Sequence, residues 1–205
     1  MMTRGFLPLL AIVAATGIAA LAWETEGFRV VTSAGARQLS IERAPRLLPD
    51  VRLVDQDGHA FSLSSYKGRP VLVAFIYTRC PTLCGVLGDD FHGVLQLMNG
   101  AGAGAPIDLL SISFDPQNDD REALQLYGDR YGAKAPRWRI ATLADGRGLA
   151  ALKQSFGVVV IPDGLGGFIH NSAVYLVDAR GRLARILDPD SPPQLFADAL
   201  QASTP

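Results

Sequence analysis

Cysteine is almost absent from this chain of 205 residues, which contains only Cys80 and Cys84. Two cysteines four positions apart cannot supply the disulfide framework of a small secreted domain, so that class of fold is excluded. An excess of charge of one sign is also lacking, because 19 Lys and Arg face 20 Asp and Glu and the formal net charge is −1. Nucleic-acid binding needs a basic surface and is therefore not expected.

Charge is missing altogether from the apolar run Phe6–Ala22, which follows Arg4 and precedes Trp23. As a helix the run would be about 25 Å long, slightly less than the hydrocarbon core of a bilayer. The sequence therefore predicts a membrane-targeting segment. Arg4 places the amino terminus in the cytoplasm, so the rest of the chain is expected on the exported, periplasmic face. Trp23 favours a retained anchor, and cleavage after residues 20–22 is the alternative.

Hydropathy divides the chain into a membrane segment (1–23), a linker (24–49) and an exported domain (50–203). The alternation over 51–63 around Asp57-Gly58 predicts a β-hairpin. Buried strands are predicted by the apolar runs 71–77 and 107–114, and further strands at 138–142, 172–177 and 182–187. Helical spacing predicts helices over 81–99, 119–131, 145–156 and 193–201. Alternating strands and helices predict a three-layer α/β domain that ends in an antiparallel hairpin.

The two thiols lie in the segment TRCPTLC, where the first buried strand gives way to a helix. Functional groups gather at the carboxyl ends of strands in such sheets. Pro81 fits the first position of the helix, and the helix dipole together with Arg79 is expected to favour the thiolate forms. Side chains four apart on a helix suit a shared ion better than a disulfide, although oxidation with local distortion stays open. Two thiolates select Cu(I) or Zn(II).

A metal site needs further ligands, and the chain has three histidines. We expect His59 to be a solvated turn residue, and His92 lies two helical turns beyond Cys84, too far to share its ion. His170 ends the Gly-rich loop DGLGGFIH just before a strand and could face the thiols. Asp115, at the end of the second buried strand, could orient a ligand, contact a partner or cap a helix. Helix N-caps are predicted at Asp119 and Asp120.

Three stretches together, KGRPVLVAFIYTRCPTLC, SISFDPQND and HNSAVYLVDARGRL, resemble the Sco/SenC family over residues 50–200. This is a family of thioredoxin-like copper proteins of cytochrome oxidase assembly. The resemblance implies one copper ion held by Cys80, Cys84 and His170, and it suggests that Asp115 and Asp119 contact a partner or tune the site. Gly85 stands where many members have a second proline, which leaves the metal geometry open.

The function implied by this resemblance is copper delivery to the CuA site of cytochrome c oxidase subunit II, by a monomer that a second periplasmic copper carrier could load. The alternative is an enzyme, a membrane-tethered thiol–disulfide reductase acting on the CuA-site cysteines, for which His170 would be dispensable. A peroxidase of the thioredoxin superfamily is a weaker alternative, because Thr78 lies only two positions before Cys80. The side chains of Phe75, Tyr77, Phe114 and Trp138 are expected in the core.

Overall fold

The structure is a computed structural model that describes residues 6–25, 32–80, 83–100, 107–187 and 192–201. Its helices are α1 (Phe6–Glu24), α2 (Ser33–Arg43), α3 (Leu83–Gly100), α4 (Arg121–Tyr131), α5 (Leu149–Phe156) and α6 (Pro192–Gln201). Its strands are β1 (Arg46–Leu47), β2 (Arg52–Asp55), β3 (Ala60–Ser62), β4 (Val71–Ile76), β5 (Asp108–Ser113), β6 (Trp138–Leu143), β7 (Val160–Pro162), β8 (Phe168–His170), β9 (Val174–Val177) and β10 (Arg182–Leu187).

The apolar runs predicted as buried strands form the centre of the main sheet. Its order is β1-β10-β9-β4-β5-β6-β2-β3, and β4, β5 and β6 run parallel. Every residue of β4 and β5 is buried, as expected for parallel strands covered on both faces. Because β4 and β5 are parallel, their carboxyl ends meet at one edge of the sheet, and the thiol segment follows directly from that edge.

Helices cover both faces of the sheet, as predicted. The strand register places Trp138 of β6 and Phe75 of β4 on opposite faces. Phe91 of α3 packs edge-on against Trp138, with ring centroids 5.7 Å apart. Phe156 of α5 packs against Phe75, with centroids 5.1 Å apart. The three-layer arrangement and the closing hairpin of β9 and β10 are therefore confirmed.

The chain divides into two compact units, Met1–Arg43 and Ala44–Pro205. A helix is present where the apolar run predicted one, namely α1. Across the described ranges, no helix combines the length and the apolar character that a membrane crossing requires. That α1 crosses a membrane stays a prediction.

Several element boundaries differ from the sequence-based expectation. The predicted linker over 24–49 contains α2 and β1, both too short or too polar to show a clear hydrophobic period. Helix α5 begins at Leu149 instead of 145, because Gly146 and Gly148 adopt positive φ angles of 68° and 84° in the preceding turns. Pro81, predicted as the first residue of α3, lies outside the described residues.

A separate two-stranded ribbon, formed by antiparallel β7 and β8, is present where no strand is predicted. This segment was expected to be a Gly-rich loop. Each strand has three residues, and the turn between them contains Gly164 and Gly166 with φ angles of 76° and 90°. Strands this short carry too little alternation to be recognised in the sequence.

Candidate metal centre

The two thiols lie where β4 passes into α3. Cys80 follows β4, and Cys84 is the second residue of α3. The Cys84 backbone N–H donates a hydrogen bond to Cys80 Sγ at 3.4 Å, so the Cys80 sulfur sits at the amino end of the helix. Cys80 is partly exposed, whereas Cys84 is 1% exposed. Neither cysteine forms a disulfide, so both sulfurs are available as ligands.

His170 completes a group of three potential metal ligands. Its imidazole is buried, and Nε2 lies 4.0 Å from Cys84 Sγ across a separation of 86 residues. One ligand atom from each of Cys80, Cys84 and His170 lies within 4.8 Å of the other two. The juxtaposition expected from the sequence is therefore present in the structure.

The ribbon presents His170 to the thiols. In its register Val160 lies opposite His170. The turn is fixed by Asp163 Oδ1, which accepts hydrogen bonds from the backbone N–H groups of Leu165 at 2.7 Å and Gly167 at 2.9 Å. His170 thus belongs to a hydrogen-bonded element instead of an irregular loop.

Burial controls the protonation of two of these groups. It raises the pKa of the Cys84 thiol strongly, and the neighbouring Cys80 adds to the effect. Burial also lowers the pKa of His170, which favours the neutral imidazole that binds metals. The expectation that the helix dipole and Arg79 favour thiolate at both positions is therefore wrong for Cys84. The guanidinium of Arg79 is instead engaged by Asp115 Oδ2 at 2.9 Å.

Asp115 and Asp119, which follow β5, brace the thiol loop (residues 77–80). Asp119 is fully buried, and its carboxylate accepts hydrogen bonds from the backbone N–H of Thr78 at 3.0 Å and from the Thr78 hydroxyl at 2.6 Å. The same carboxylate accepts a hydrogen bond from the hydroxyl of Ser113. Asp115 is 5% exposed and holds Arg79. These contacts support a role in shaping the site, since buried carboxylates leave little surface for a partner.

Aromatic side chains enclose the imidazole. The ring of Phe114 lies 5.0 Å from that of His170, and the ring of Tyr77 lies 6.2 Å from it. Phe168 contacts Tyr77 and Phe114 at 5.3 and 5.6 Å. Tyr77 and Phe114 are buried, as predicted, but they also border the site. The sequence signal for this second role is the position of both residues at strand ends, near Cys80 and Asp115.

A cavity of about 490 Å³ opens at Cys80. Its walls come from the thiol loop, at Tyr77 and Arg79, and from the ribbon, including His170. Leu165 at the tip of the ribbon is 93% exposed, and Ile169 on its outer side is 67% exposed. Among the three potential ligands, Cys80 is the one that an approaching molecule reaches first.

The other two histidines lie elsewhere. His92 is exposed on α3, and its Nδ1 lies 2.8 Å from the carbonyl oxygen of Tyr131. The side chain of His59 is 78% exposed in the hairpin turn, as expected. It stands near Asp55 and Asp57, and the sequence pattern does not indicate this group. Asp55 Oδ1 already accepts two backbone N–H bonds of that turn, which accounts for the cluster structurally.

Known proteins share both the sequence pattern and the fold. The SCO1/SenC family model matches residues 41–204. The SCO1 protein homolog of Bacillus subtilis (strain 168) is 29% identical over 133 residues, which cover 64% of this chain and 68% of the relative.

Two solved structures extend the comparison. Bradyrhizobium japonicum ScoI with copper bound superposes with a TM-score of 0.63 at 26% identity and covers 76% of this chain and 99% of its own. BsSco, a member of the Sco family of cytochrome c oxidase assembly proteins with a disulfide switch, gives a TM-score of 0.67 at 23% identity and covers 78% of this chain and 95% of its own. These superpositions confirm the thioredoxin-like fold.

The family match spans the whole sheet and includes the three residues whose side chains converge beside α3. Fold, local sequence and the spacing of Cys80, Cys84 and His170 agree with one another, and the chain belongs to the SCO1/SenC family.

Proposed function

We propose that this protein is a copper metallochaperone that binds one copper ion through Cys80, Cys84 and His170 and delivers it to the CuA site of cytochrome c oxidase subunit II. The observation that carries the proposal is the convergence of two sulfurs and one imidazole within 4.8 Å of one another. The copper bound by ScoI of Bradyrhizobium japonicum supports the identity of the ion.

The donor set and its spacing suit a single soft ion. Thiolates select Cu(I) among biological metals, and an imidazole also accommodates Cu(II). Bonds from a metal to sulfur or nitrogen are about 2.0 to 2.3 Å long, so two ligands of one ion lie less than about 4.6 Å apart. The distance of 4.0 Å between Cys84 Sγ and His170 Nε2 already meets this limit.

Exposure of the ligands indicates how the ion leaves. Cys80 is partly exposed and lines the cavity; His170 also lines it but is only 8% exposed, and Cys84 is 1% exposed. An acceptor thiolate can therefore approach at Cys80 and share the ion while the buried ligands still hold it. A copper carrier that loads the site would use the same approach.

We place this exchange on the exported, periplasmic face of a membrane. The support is the apolar run Phe6–Ala22 after Arg4, which acts as a retained anchor or as a cleaved signal. A tether would confine the chaperone and a membrane-bound acceptor to one surface and raise their effective concentration.

A direct test is titration of Cu(I) into the reduced protein against a competing chelator. We expect one ion per chain, and we expect Cys84→Ser and His170→Ala to weaken binding at least about tenfold. His92→Ala is the matched control, because this exposed helix histidine lies outside the site, and it should leave the affinity unchanged. Failure of the wild-type protein to bind an ion would contradict the proposal.

The pH dependence of the copper affinity is a second readout of the same titration. Because the pKa of Cys84 is raised, its thiol is protonated at neutral pH and must lose a proton when the ion binds. The affinity should therefore rise about tenfold per pH unit for each proton displaced. Calorimetry in buffers of different ionisation enthalpy measures these protons.

The second candidate is a thiol–disulfide reductase, favoured by the pairing of a partly exposed and a buried cysteine. In this reaction the Cys80–Cys84 pair would pass two electrons and two protons to an acceptor disulfide and become a disulfide itself. Activity would require both cysteines and would survive His170→Ala. The two functions are thus distinguished by His170→Ala, which removes a metal ligand and leaves both thiols intact.

A further inference from the structure

Tyr77 is the first residue of the thiol loop and faces the ribbon. It directly follows β4, three residues before Cys80, and is 4% exposed. Its hydroxyl oxygen lies 3.4 Å from the Phe168 backbone N, which donates to it, and 3.4 Å from the Phe168 carbonyl oxygen, to which it donates. We propose that Tyr77 is a positioning residue that clamps the ribbon so that His170 stays within bonding reach of the two thiols.

The strand register explains why the ribbon needs this clamp. Asp163 N donates to Gly167 O and Asn171 N donates to Val159 O, so the odd-numbered pairs of the ribbon are its hydrogen-bonded pairs. Phe168 lies opposite Pro162 in the alternate, non-hydrogen-bonded kind of pair. The N–H and C=O groups of Phe168 therefore point away from β7, towards the free edge of β8. The hydroxyl of Tyr77 meets both groups there.

The position of Phe168 determines the position of the imidazole. His170 is two residues further along β8 and thus on the same face of the strand. The ring of Tyr77 makes edge contacts with both side chains, at interplanar angles of 84° to Phe168 and 75° to His170. One side chain therefore fixes the strand through its hydroxyl and borders the imidazole with its ring.

Gly167 shows how closely Tyr77 approaches the ribbon. A Cβ atom at this position would lie 3.3 Å from the Tyr77 hydroxyl and 2.6 Å from Asp163 Oδ2. A methyl group would displace one or both of these groups. A side chain at Gly167 would therefore disturb the Asp163 carboxylate first and press on the Tyr77 hydroxyl by a few tenths of an ångström.

This inference rests on the proposed function, because it assigns Tyr77 a task towards the same three ligands. Tyr77 belongs to the segment that also carries Cys80, so a single stretch of backbone supplies a sulfur and holds the imidazole in place. The hydroxyl also interacts with the Cys80 side chain, so its removal takes one contact from that sulfur as well as the clamp from the ribbon. The ribbon would then be held by ring packing and by the hydrogen bonds at its base, and His170 would spend less time beside Cys84.

The test uses Tyr77→Phe, which removes only the hydroxyl. In the metal-free protein we expect the Phe168 amide to exchange with deuterium about tenfold faster than in the wild type. In the Cu(II)-loaded protein we expect weaker nitrogen hyperfine coupling in the EPR spectrum. In a separate sample loaded with Cu(I) we expect about tenfold faster release of that ion to a Cu(I) chelator. Tyr66→Phe is the matched control, because it removes another buried hydroxyl that contacts Arg139 instead of the ribbon.

A second variant keeps the test valid in case Tyr77→Phe does not fold. Gly167→Ala keeps the hydroxyl but crowds both it and the Asp163 carboxylate, and we expect exchange and EPR changes in the same direction from a protein whose circular dichroism is that of the wild type. Wild-type exchange at Phe168 in Tyr77→Phe, or equal acceleration in Tyr66→Phe, would overturn the proposal. Failure of the wild-type protein to bind copper would overturn the proposed function alone, since the amide exchange is measured without metal.

Discussion

Asp119 and its neighbour Asp120 show how differently two adjacent carboxylates can act. Both were predicted as helix N-caps. Only Asp120 is one, because its side chain accepts a hydrogen bond from the backbone N–H of Ala123 at 2.9 Å. Asp119 turns inwards and joins Thr78 of the thiol loop to Ser113 of β5. At the scale of single residues, this buried carboxylate shapes the loop that carries Cys80.

We predict that Asp119→Ala lowers the free energy of unfolding by about 3 kcal/mol, because it removes hydrogen bonds to a charged, buried acceptor and leaves their donors unsatisfied. It should also weaken copper binding, because the thiol loop loses its attachment to β5. Urea denaturation and chelator competition measure the two effects. Asp120→Ala, the adjacent control, should cost about 1 kcal/mol as a lost cap and leave the copper affinity unchanged. Equal effects of both variants on affinity would contradict this assignment.

At the scale of elements, the ribbon is the part that brings the imidazole to the thiols. Its turn depends on Asp163, whose pKa is lowered by hydrogen bonds from the backbone N–H groups of Leu165 and Gly167. A carboxyl group with a lowered pKa in the folded state stabilises the fold above its unfolded pKa of about 3.9. That stabilisation is lost as the pH falls through the lower, folded-state pKa.

We therefore predict that the ribbon turn opens in acid, below about pH 4, before the sheet unfolds. The amide resonances of Leu165 and Gly167 should titrate together, and Asp163→Asn should abolish this titration and weaken copper binding several-fold at neutral pH. Asp145→Asn is the control, since Asp145 makes the same kind of turn with Arg147 away from His170. An unchanged copper affinity in Asp163→Asn would show that the turn does not position the imidazole.

At the scale of the whole molecule, the sheet and all three candidate ligands lie in the unit Ala44–Pro205. The family match begins at residue 41, close to this boundary. We predict that a protein comprising residues 44–205 unfolds cooperatively and binds one copper ion with the affinity of the full chain. Thermal denaturation and the same chelator titration test this prediction. Loss of cooperative unfolding would show that the first unit is needed for the fold.

The elements that could be predicted are those with a strong local pattern. Continuous apolar runs predict β4 and β5, because both faces of these strands are buried. Helical spacing predicts α3 and α4, because burial of one face leaves a period in the sequence. Elements without such a period were missed. Strand β1 has two exposed residues, and the ribbon has an exposed, apolar outer side that resembles no regular pattern.

The amino-acid sequence by itself determined which chemistry is available. It contains two soft sulfurs at a strand end, a histidine far along the chain, and few other side chains that could act as ligands of the same ion. The tertiary structure decided that these groups meet. Cys84 and His170 are separated by 86 residues, and contacts over such a distance leave no local pattern. The raised pKa of Cys84, the inward turn of Asp119 and the contact of Tyr77 with Phe168 have the same origin, because burial and partners exist only once the chain has folded.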